Sequence, residues 1–174
     1  MRFYFVKNDK WYSKALMKML DEPVSHIGIG LFTDEHDGLD LVIDCTKPHG
    51  KLYHMKHWTS PEKYQIVNTL ELKLSISDEL LAYDRLIDQC VLTPYDWGAY
   101  YYAWIVLLGH FLFKTPIPKE NKWSTDGMWC SEIIDPIEGI LGCNGVDVSH
   151  LDFETLSPHM VYQELKKFEN IKEL

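Results

Sequence analysis

Apolar residues in the first 75 positions fall into short, β-branched runs, whereas those further along the chain recur at helical spacing. The short runs cover residues 2–7, 24–32, 39–46 and 63–74. Such runs, bounded by polar or glycine-containing stretches, predict β-strands. Between the first two runs, residues 10–20 place apolar side chains three and four positions apart, which predicts a helix. The acidic, glycine-containing stretch at 33–38 predicts a hairpin loop.

Helical spacing dominates from residue 77 onward. Residues 77–92 form an amphipathic pattern with Ser77 as the candidate N-cap, and residues 156–169 form a second one. Because the predicted strands come first and the predicted helices follow, the chain is expected to have an α+β fold with an antiparallel sheet.

The most apolar stretch of the chain is residues 97–113, WGAYYYAWIVLLGHFLF. It carries no charge if His110 is neutral, but it is shorter than the ~20 apolar residues that a membrane-spanning helix needs. It also contains three tyrosines, two glycines and a histidine. The pattern predicts a buried helix, and a role at a membrane interface stays open. Just before it, Tyr95 is expected to pack in the core and Asp96 to cap the helix.

Composition narrows the class of protein. The chain has 174 residues, of which 46% are hydrophobic and 25% charged, a balance typical of one globular domain covering residues 1–174. Its formal net charge of −9 argues against a nucleic-acid partner. The first residues lack a signal-peptide pattern, which favours a cytoplasmic or phage-encoded protein. The four cysteines form no CxxC pair and are expected to be reduced thiols.

Cys130 is the candidate nucleophile. It follows a polar loop at 116–127 and opens a helical stretch, and a helix N-terminus favours a thiolate. Its backbone N–H is then placed to donate to an oxyanion, and Glu132 is expected to support the start of the helix. Asp135 and Pro136 give a second start signal, so this helix is predicted to be short, kinked or followed by another.

His26 and Asp44 are the candidate partners of Cys130. His26 is the only one of eight histidines inside a strand-like run, and Asp44 lies in the neighbouring predicted strand. A base within reach of the thiol and an acid that orients the base would complete a catalytic arrangement. The alternatives are that His26 is a half-buried structural residue and that Asp44 is a turn or surface charge.

The segments SHIGI, VID and WCSEII, in this order, resemble the circularly permuted NlpC-type papain-like hydrolases. This YiiX/YaeF-like group belongs to a superfamily that includes lecithin:retinol acyltransferase. The resemblance extends to KPHGKLYHMKHW, YDWGAY and LSPHMVY. It implies a permuted papain-like domain, with an antiparallel sheet or partial barrel packed against helices. It matches His26 to the motif histidine and Cys130 to the nucleophile. Asp44 stands where the family more often has Glu or His.

The resemblance also implies a function. The implied function is that of a cysteine hydrolase that would cleave an amide bond in a peptide, isopeptide or cell-wall peptide through an acyl-enzyme, with neither cofactor nor metal. The substrate would be peptide-like or an acylated small molecule. A lipid-directed thiol acyltransferase or esterase, and a non-catalytic structural or binding domain of the same fold, are the alternatives. A weaker alternative is a zinc site at His54 and His57, whose HxxH spacing suits a metal only on a helix. No phosphate-binding glycine motif is present.

Overall fold

The computed structural model describes residues 1–32, 40–59, 63–116 and 127–174. The predicted hairpin loop at 33–38 and nearly all of the polar loop at 116–127 lie outside the described residues. The strands are β1 (Arg2–Lys7), β2 (His26–Leu31), β3 (Leu41–Cys45), β4 (Gly50–His54), β5 (Gln65–Leu72) and β6 (Ile171–Glu173). The α-helices are α1 (Trp11–Leu20), α2 (Met55–Trp58), α3 (Ile76–Cys90), α4 (Trp97–Phe113), α5 (Glu138–Cys143) and α6 (Pro158–Leu165), with a 3-10 helix at Glu132–Ile137.

The strands form one open, six-stranded sheet in the order β4-β3-β2-β1-β5-β6. Each pairing in it is antiparallel. The predicted α+β class with an antiparallel sheet is therefore confirmed. The four strand-like runs all contain strands, and β6 is an edge strand that the sequence pattern did not reveal, since it has only three residues.

One face of the sheet carries the main core. Along β2, Ile27, Ile29 and Leu31 point to this face and are fully buried. Residues of α3, the 3-10 helix, α5 and α6 cover them. Full burial of each such side chain contributes about 1.5–3 kcal/mol, so the strict period-two pattern of β2 fixes which of its faces meets the helices.

The opposite face carries a smaller cluster of Tyr4, Val6, Val42 and Trp58. His26 and Asp44 alternate with main-core residues along β2 and β3, so their side chains lie on this second face. Gly28 makes the cluster possible, because a Cβ atom there would lie 2.5 Å from the Trp58 ring. The glycine lets the indole pack directly on the backbone of β2.

Helix α3 begins two residues earlier than predicted. Its N-cap is Ser75, whose hydroxyl accepts the Asp78 backbone N–H at 3.1 Å, while Ser77 lies inside the first turn. The prediction of Ser77 was wrong because Ser75 has the better spacing: the acidic residue three positions after it reaches back, and its carboxylate accepts the Ser75 hydroxyl at 2.9 Å.

Helix α4 contradicts the prediction of a buried helix. Asp96 caps it as predicted, accepting the Ala99 N–H at 2.7 Å. However, the helix packs mainly on α1 and leaves large apolar side chains exposed, with Ile105 58% and Phe113 76% exposed. The helix carries apolar residues on all of its sides, so its sequence contains no pattern that distinguishes a buried face from an exposed one. In the described part of the chain, no helix combines the length and the apolarity that crossing a bilayer demands.

Candidate active site

His26 and Asp44 meet on the second face of the sheet. Strands β2 and β3 pair with Ile29 opposite Ile43, which brings the start of β2 beside the end of β3. The ring of His26 hydrogen-bonds through Nε2 to Oδ1 of Asp44. Asp44 is fully buried and His26 is 8% exposed. The predicted pairing of these two residues is present, and Asp44 is not a turn or surface charge.

Trp58 holds the second oxygen of Asp44. Its indole N–H donates to Asp44 Oδ2 at 2.8 Å, and the ring is fully buried. The carboxylate thus accepts from two sides, which fixes its plane relative to His26. No sequence pattern indicated this contact, because Trp58 ends the short helix α2 and reaches Asp44 only through the pairing of β3 with β4.

Tyr64 covers the face of the His26 ring. The two rings stack with centroids 5.0 Å apart and an interplanar angle of 9°. Burial raises the pKa of Tyr64 to about 12, so the phenol stays neutral at physiological pH, within 3.4 Å of the Thr46 hydroxyl. With Asp44 at its edge and Tyr64 on its face, the imidazole has a fixed orientation. The sequence reasoning did not find Tyr64.

Cys130 lies on the far side of the imidazole. Cys130 is 5% exposed, and its side chain lies close enough to the His26 ring to help raise the pKa of the imidazole. Since Asp44 engages Nε2, Nδ1 is the ring nitrogen left for the thiol. The structure therefore brings Cys130, His26 and Asp44 together, with His26 between the thiol and the carboxylate, although Cys130 is distant from the other two in sequence.

The local structure around Cys130 differs from the prediction. Cys130 lies in a turn, and the element that follows is the 3-10 helix Glu132–Ile137; the α-helix α5 starts only at Glu138. Asp135 and Pro136 lie within the 3-10 helix instead of opening a new helix. Because a short 3-10 helix has a smaller aligned dipole than a long α-helix, His26 is the main cation near the thiol.

The electrostatics of His26 favour its protonated form. Burial opposes the charged ring, but the Asp44 carboxylate, its hydrogen bond to the ring and the nearby Cys130 side chain outweigh it and raise the pKa of His26 well above its usual value. A protonated His26 beside Cys130 stabilises a thiolate. The arrangement can hold a thiolate–imidazolium pair, the reactive form of a catalytic cysteine.

A cavity of about 430 Å³ opens onto Cys130 and His26. Its other walls come from α1, α4 and the segment 154–160. They are mostly apolar or aromatic, with Leu16 and Leu20 on one side and Trp104 on another. A cavity of this size beside a titratable pair is a candidate binding site. No feature of the sequence predicted it, since its walls come from distant segments.

Glu132 holds the turn in place. Its Oε2 accepts the Trp129 backbone N–H at 2.8 Å, and the Trp129 indole donates to the Phe153 carbonyl at 3.2 Å. This contact matches the supporting role predicted for Glu132. Burial is the main cause that raises the pKa of Glu132 to about 8, and Asp135 adds to it.

The raised pKa of Glu132 makes stability depend on pH. The carboxyl group of Glu132 has a pKa of 4.5 in the unfolded chain and about 8 in the folded protein, so the folded state favours its protonated form. The resulting contribution to stability is complete below pH 4.5 and is lost as the pH rises towards 8. Glu132→Gln keeps an acceptor for Trp129 but removes the ionisation. We expect it to leave the free energy of unfolding nearly unchanged at about pH 4 and to raise it by about 4 kcal/mol at about pH 9.

Urea denaturation at both pH values, with Glu164→Gln on α6 as the control, measures this difference. Equal stability of Glu132→Gln and the native protein at alkaline pH would contradict the raised pKa of Glu132.

The candidate zinc ligands and the other three cysteines do not line the cavity. His54 and His57 lie at and after the end of β4, with ring centroids 6.2 Å apart. Among the residues that the structure describes, no three histidine, cysteine or acidic side chains are grouped as metal ligands. All four cysteines are free, with Cys45 and Cys90 buried and Cys143 exposed.

Comparison with known proteins adds no assignment. No protein-family model matches the chain, and no curated protein is significantly similar to it in sequence. Functional interpretation therefore depends on the geometry of the site and on the motif resemblance.

Proposed function

We propose that the protein is a cysteine-dependent hydrolase that cleaves an amide bond. The observation that carries this proposal is the series Cys130–His26–Asp44 at the wall of a cavity, with His26 hydrogen-bonded to Asp44 and Cys130 beside the imidazole. Nucleophile, base and orienting acid in this order are the requirements for acyl transfer through a thiol. The substrates we propose are peptide, isopeptide or cell-wall peptide amides.

In the proposed reaction, Nδ1 of His26 takes the proton of the Cys130 thiol and the sulfur attacks the carbonyl carbon. The C–N bond of the tetrahedral intermediate then breaks, and His26 returns its proton to the leaving amine. Water, deprotonated by His26, hydrolyses the thioester and releases the acid and the free thiol. Asp44 keeps the imidazole in the productive orientation throughout. We assign one oxyanion contact to the backbone N–H of Cys130.

The fold assignment belongs to the same proposal. A permuted papain-like domain requires a strand histidine, an acid on the next strand and a cysteine that comes later in the chain, before a helix. The chain satisfies this order with His26 in β2, Asp44 in β3 and Cys130 before the 3-10 helix. The antiparallel sheet with helices on its main face is compatible with it.

A second candidate is a thiol acyltransferase or esterase that acts on lipids. The exposed apolar surface of α4 favours it, because large apolar side chains beside the cavity suit contact with a lipid surface. Sedimentation with zwitterionic liposomes separates the two candidates. Binding that is lost when Ile105 and Phe113 are replaced by serine supports the lipid-directed enzyme, and absence of binding supports the amide hydrolase.

The first test is selective alkylation of Cys130. At about pH 6 an ordinary thiol is almost entirely protonated, so a thiolate held by His26 should react first with iodoacetamide. We expect Cys130 to be labelled at least about tenfold faster than Cys143 in the folded protein. Cys143 is the internal control because it is exposed, and Cys45 and Cys90 should stay unlabelled in the core. Peptide mapping by mass spectrometry measures all four rates.

Faster labelling of Cys143 than of Cys130 would contradict the proposal and favour a non-catalytic domain. If Cys130 is labelled first, profiling with thiol-reactive acyl probes of peptide and lipid type identifies the substrate class.

A further inference from the structure

Lys47 is surrounded by aromatic rings at the wall of the cavity. Its Nζ atom lies 3.8 Å from the ring centroid of Tyr100 and 4.2 Å from that of Trp97. The rings of Tyr12 and Tyr95 follow at 4.9 and 5.6 Å. Cation–π contacts of this kind fix an ammonium group without neutralising its charge. No carboxylate among the described residues forms an ion pair with Lys47.

Lys10 is a second cation at the same place. Its Nζ lies 5.8 Å from the Tyr12 ring, so the two ammonium groups share this ring. Burial and the charge of Lys10 together lower the pKa of Lys47. The adjacent carboxylate, Asp9, pairs instead with Lys14 at 3.1 Å. Two ammonium groups around the Tyr12 ring thus remain without a counter-ion from the described residues, in a chain with a net charge of −9.

This cationic wall belongs to the cavity that reaches Cys130. Lys10, Lys47, His26 and Cys130 all line it. Tyr100 contacts Lys47 and also lies near Cys130. Burial is the main cause that raises the pKa of the Tyr100 phenol, and the neighbouring tyrosines and the Cys130 side chain add to it. A ligand in the cavity can therefore contact the thiol and the two lysines at once.

Among the described residues, one carboxylate lines the cavity, that of Glu154, and it lies away from Lys10 and Lys47. Glu154 lies near Glu132 and Asp135, on the side of the 3-10 helix. Burial is the main cause that raises the pKa of these two carboxyl groups, and the charge of Glu154 adds to it. The cavity therefore has one positive wall at Lys10 and Lys47, and a mostly apolar lining from α1 and α4.

We propose that Lys47 and Lys10 form a subsite for an anionic group of the substrate, so that the enzyme acts on amphiphilic acyl compounds carrying a carboxylate or phosphate. This inference deepens the proposed function and rests on it. An anion between the two ammonium groups would relieve their repulsion, and the aromatic rings hold Lys47 in place before the ligand arrives. The apolar part of the substrate would occupy the lining from Leu16, Leu20 and Trp104.

Two matched esters test the subsite. One is p-nitrophenyl hexanoate, which is neutral, and the other is the mono-p-nitrophenyl ester of adipic acid, which has a similar length and ends in a carboxylate. Attack by the Cys130 sulfur forms the thioester and expels p-nitrophenolate, whose absorbance gives the acylation rate. Each rate is divided by that of free cysteine. We expect the native protein to prefer the anionic ester by roughly tenfold.

Lys47→Met should remove this preference while keeping the aliphatic side chain among the rings, and Lys10→Met should reduce it. Lys47→Arg should retain it. Lys14→Met is the matched control, because Lys14 pairs with Asp9 and does not line the cavity. Equal rates for the two esters in the native protein would overturn the subsite. So would an unchanged preference in Lys47→Met, even with a lower melting temperature, since Lys47 would then only clamp α1 against α4.

Binding without chemistry separates this inference from the proposed function. Cys130→Ala cannot be acylated, but calorimetry with adipate and with inorganic phosphate still measures the subsite and distinguishes carboxylate from phosphate. Binding of either anion that is lost in Cys130→Ala/Lys47→Met supports the subsite even if no ester reacts with the native protein, in which case only the hydrolase proposal fails. Absence of binding of both anions overturns the subsite.

Discussion

Replacing His26 by glutamine is expected to slow alkylation of Cys130 by roughly 10- to 100-fold at about pH 6. The glutamine amide can still donate to the Asp44 carboxylate, whereas alanine would leave that buried carboxylate with Trp58 as its remaining donor. His26→Gln therefore removes the protonatable ring with the least damage to the fold.

The size of the effect follows from the thiolate fraction. A free thiol with a pKa of about 8.5 is only ~0.3% thiolate at pH 6. A thiolate paired with imidazolium is almost fully formed, which gives a ceiling of a few hundredfold. A thiolate stabilised in this way is also a weaker nucleophile, which offsets roughly tenfold of the gain. Turnover of an amide should fall further, by roughly 10³ or more, because the leaving amine also loses its proton donor.

His57→Gln is the control, because His57 is exposed on α2 and does not line the cavity. Pseudo-first-order alkylation rates from about pH 5 to 9 measure the loss, and the two proteins should converge at alkaline pH as ordinary thiols ionise. A rate in His26→Gln equal to that of the native protein at pH 6 would mean that His26 does not activate Cys130.

The sequence predicted the sheet better than the helices. In β2, alternation of Ile27, Ile29 and Leu31 with smaller or polar residues determines both the strand and its buried face, so local pattern and final structure agree. Helix α4 was predicted as a helix but not as an exposed one, because burial depends on which other segments cover it. The Ser75 cap was missed because two serines compete within three positions.

In the candidate site, too, some residues could be predicted from the sequence and others could not. Cys130, His26 and Asp44 were identifiable because each has a residue type and a local setting that suit one chemical role. Trp58 and Tyr64 were not, because their roles come from contacts made across the sheet: Trp58 reaches Asp44 over Gly28, and Tyr64 stacks on His26. Contacts between distant segments leave no periodic signal along the chain.

The second large effect that we expect is the loss of turnover when Asp44 is replaced by asparagine. Asp44→Asn should reduce turnover by roughly 10 to 10³, less than removal of the nucleophile, because a thiolate–imidazolium pair depends less on its orienting acid than a serine enzyme does. The local contacts explain how the loss arises. The Trp58 indole N–H can only donate, so it attracts the oxygen of the new amide. The amide NH₂ group then faces Nε2 of His26 and forces the ring proton onto Nδ1. Because Nδ1 then carries a proton, it cannot accept the proton of the thiol.

Asp44→Asn should also move the alkaline limit of activity to lower pH. In the native protein, Asp44 is the main favourable contribution that raises the pKa of His26 above its usual value. The stabilising ion pair is fully present below the ordinary histidine pKa of about 6.5 and is lost as the pH rises through the raised value. Without the carboxylate, burial lowers the pKa of His26, so the imidazolium that protonates the leaving amine is lost at lower pH.

The pH profile distinguishes this role from a purely structural one. Rates of hydrolysis of hexanoyl p-nitroanilide, an amide whose leaving amine needs a proton from His26, should show an earlier alkaline decline in Asp44→Asn than in the native protein. Asp88→Asn on the exposed face of α3 should show the native profile. A uniformly lower rate with an unmoved pH profile would indicate that Asp44 only supports packing around Trp58. An unchanged rate and profile would remove Asp44 from the catalytic series and leave a Cys130–His26 dyad, with Tyr64 as the contact that orients the imidazole.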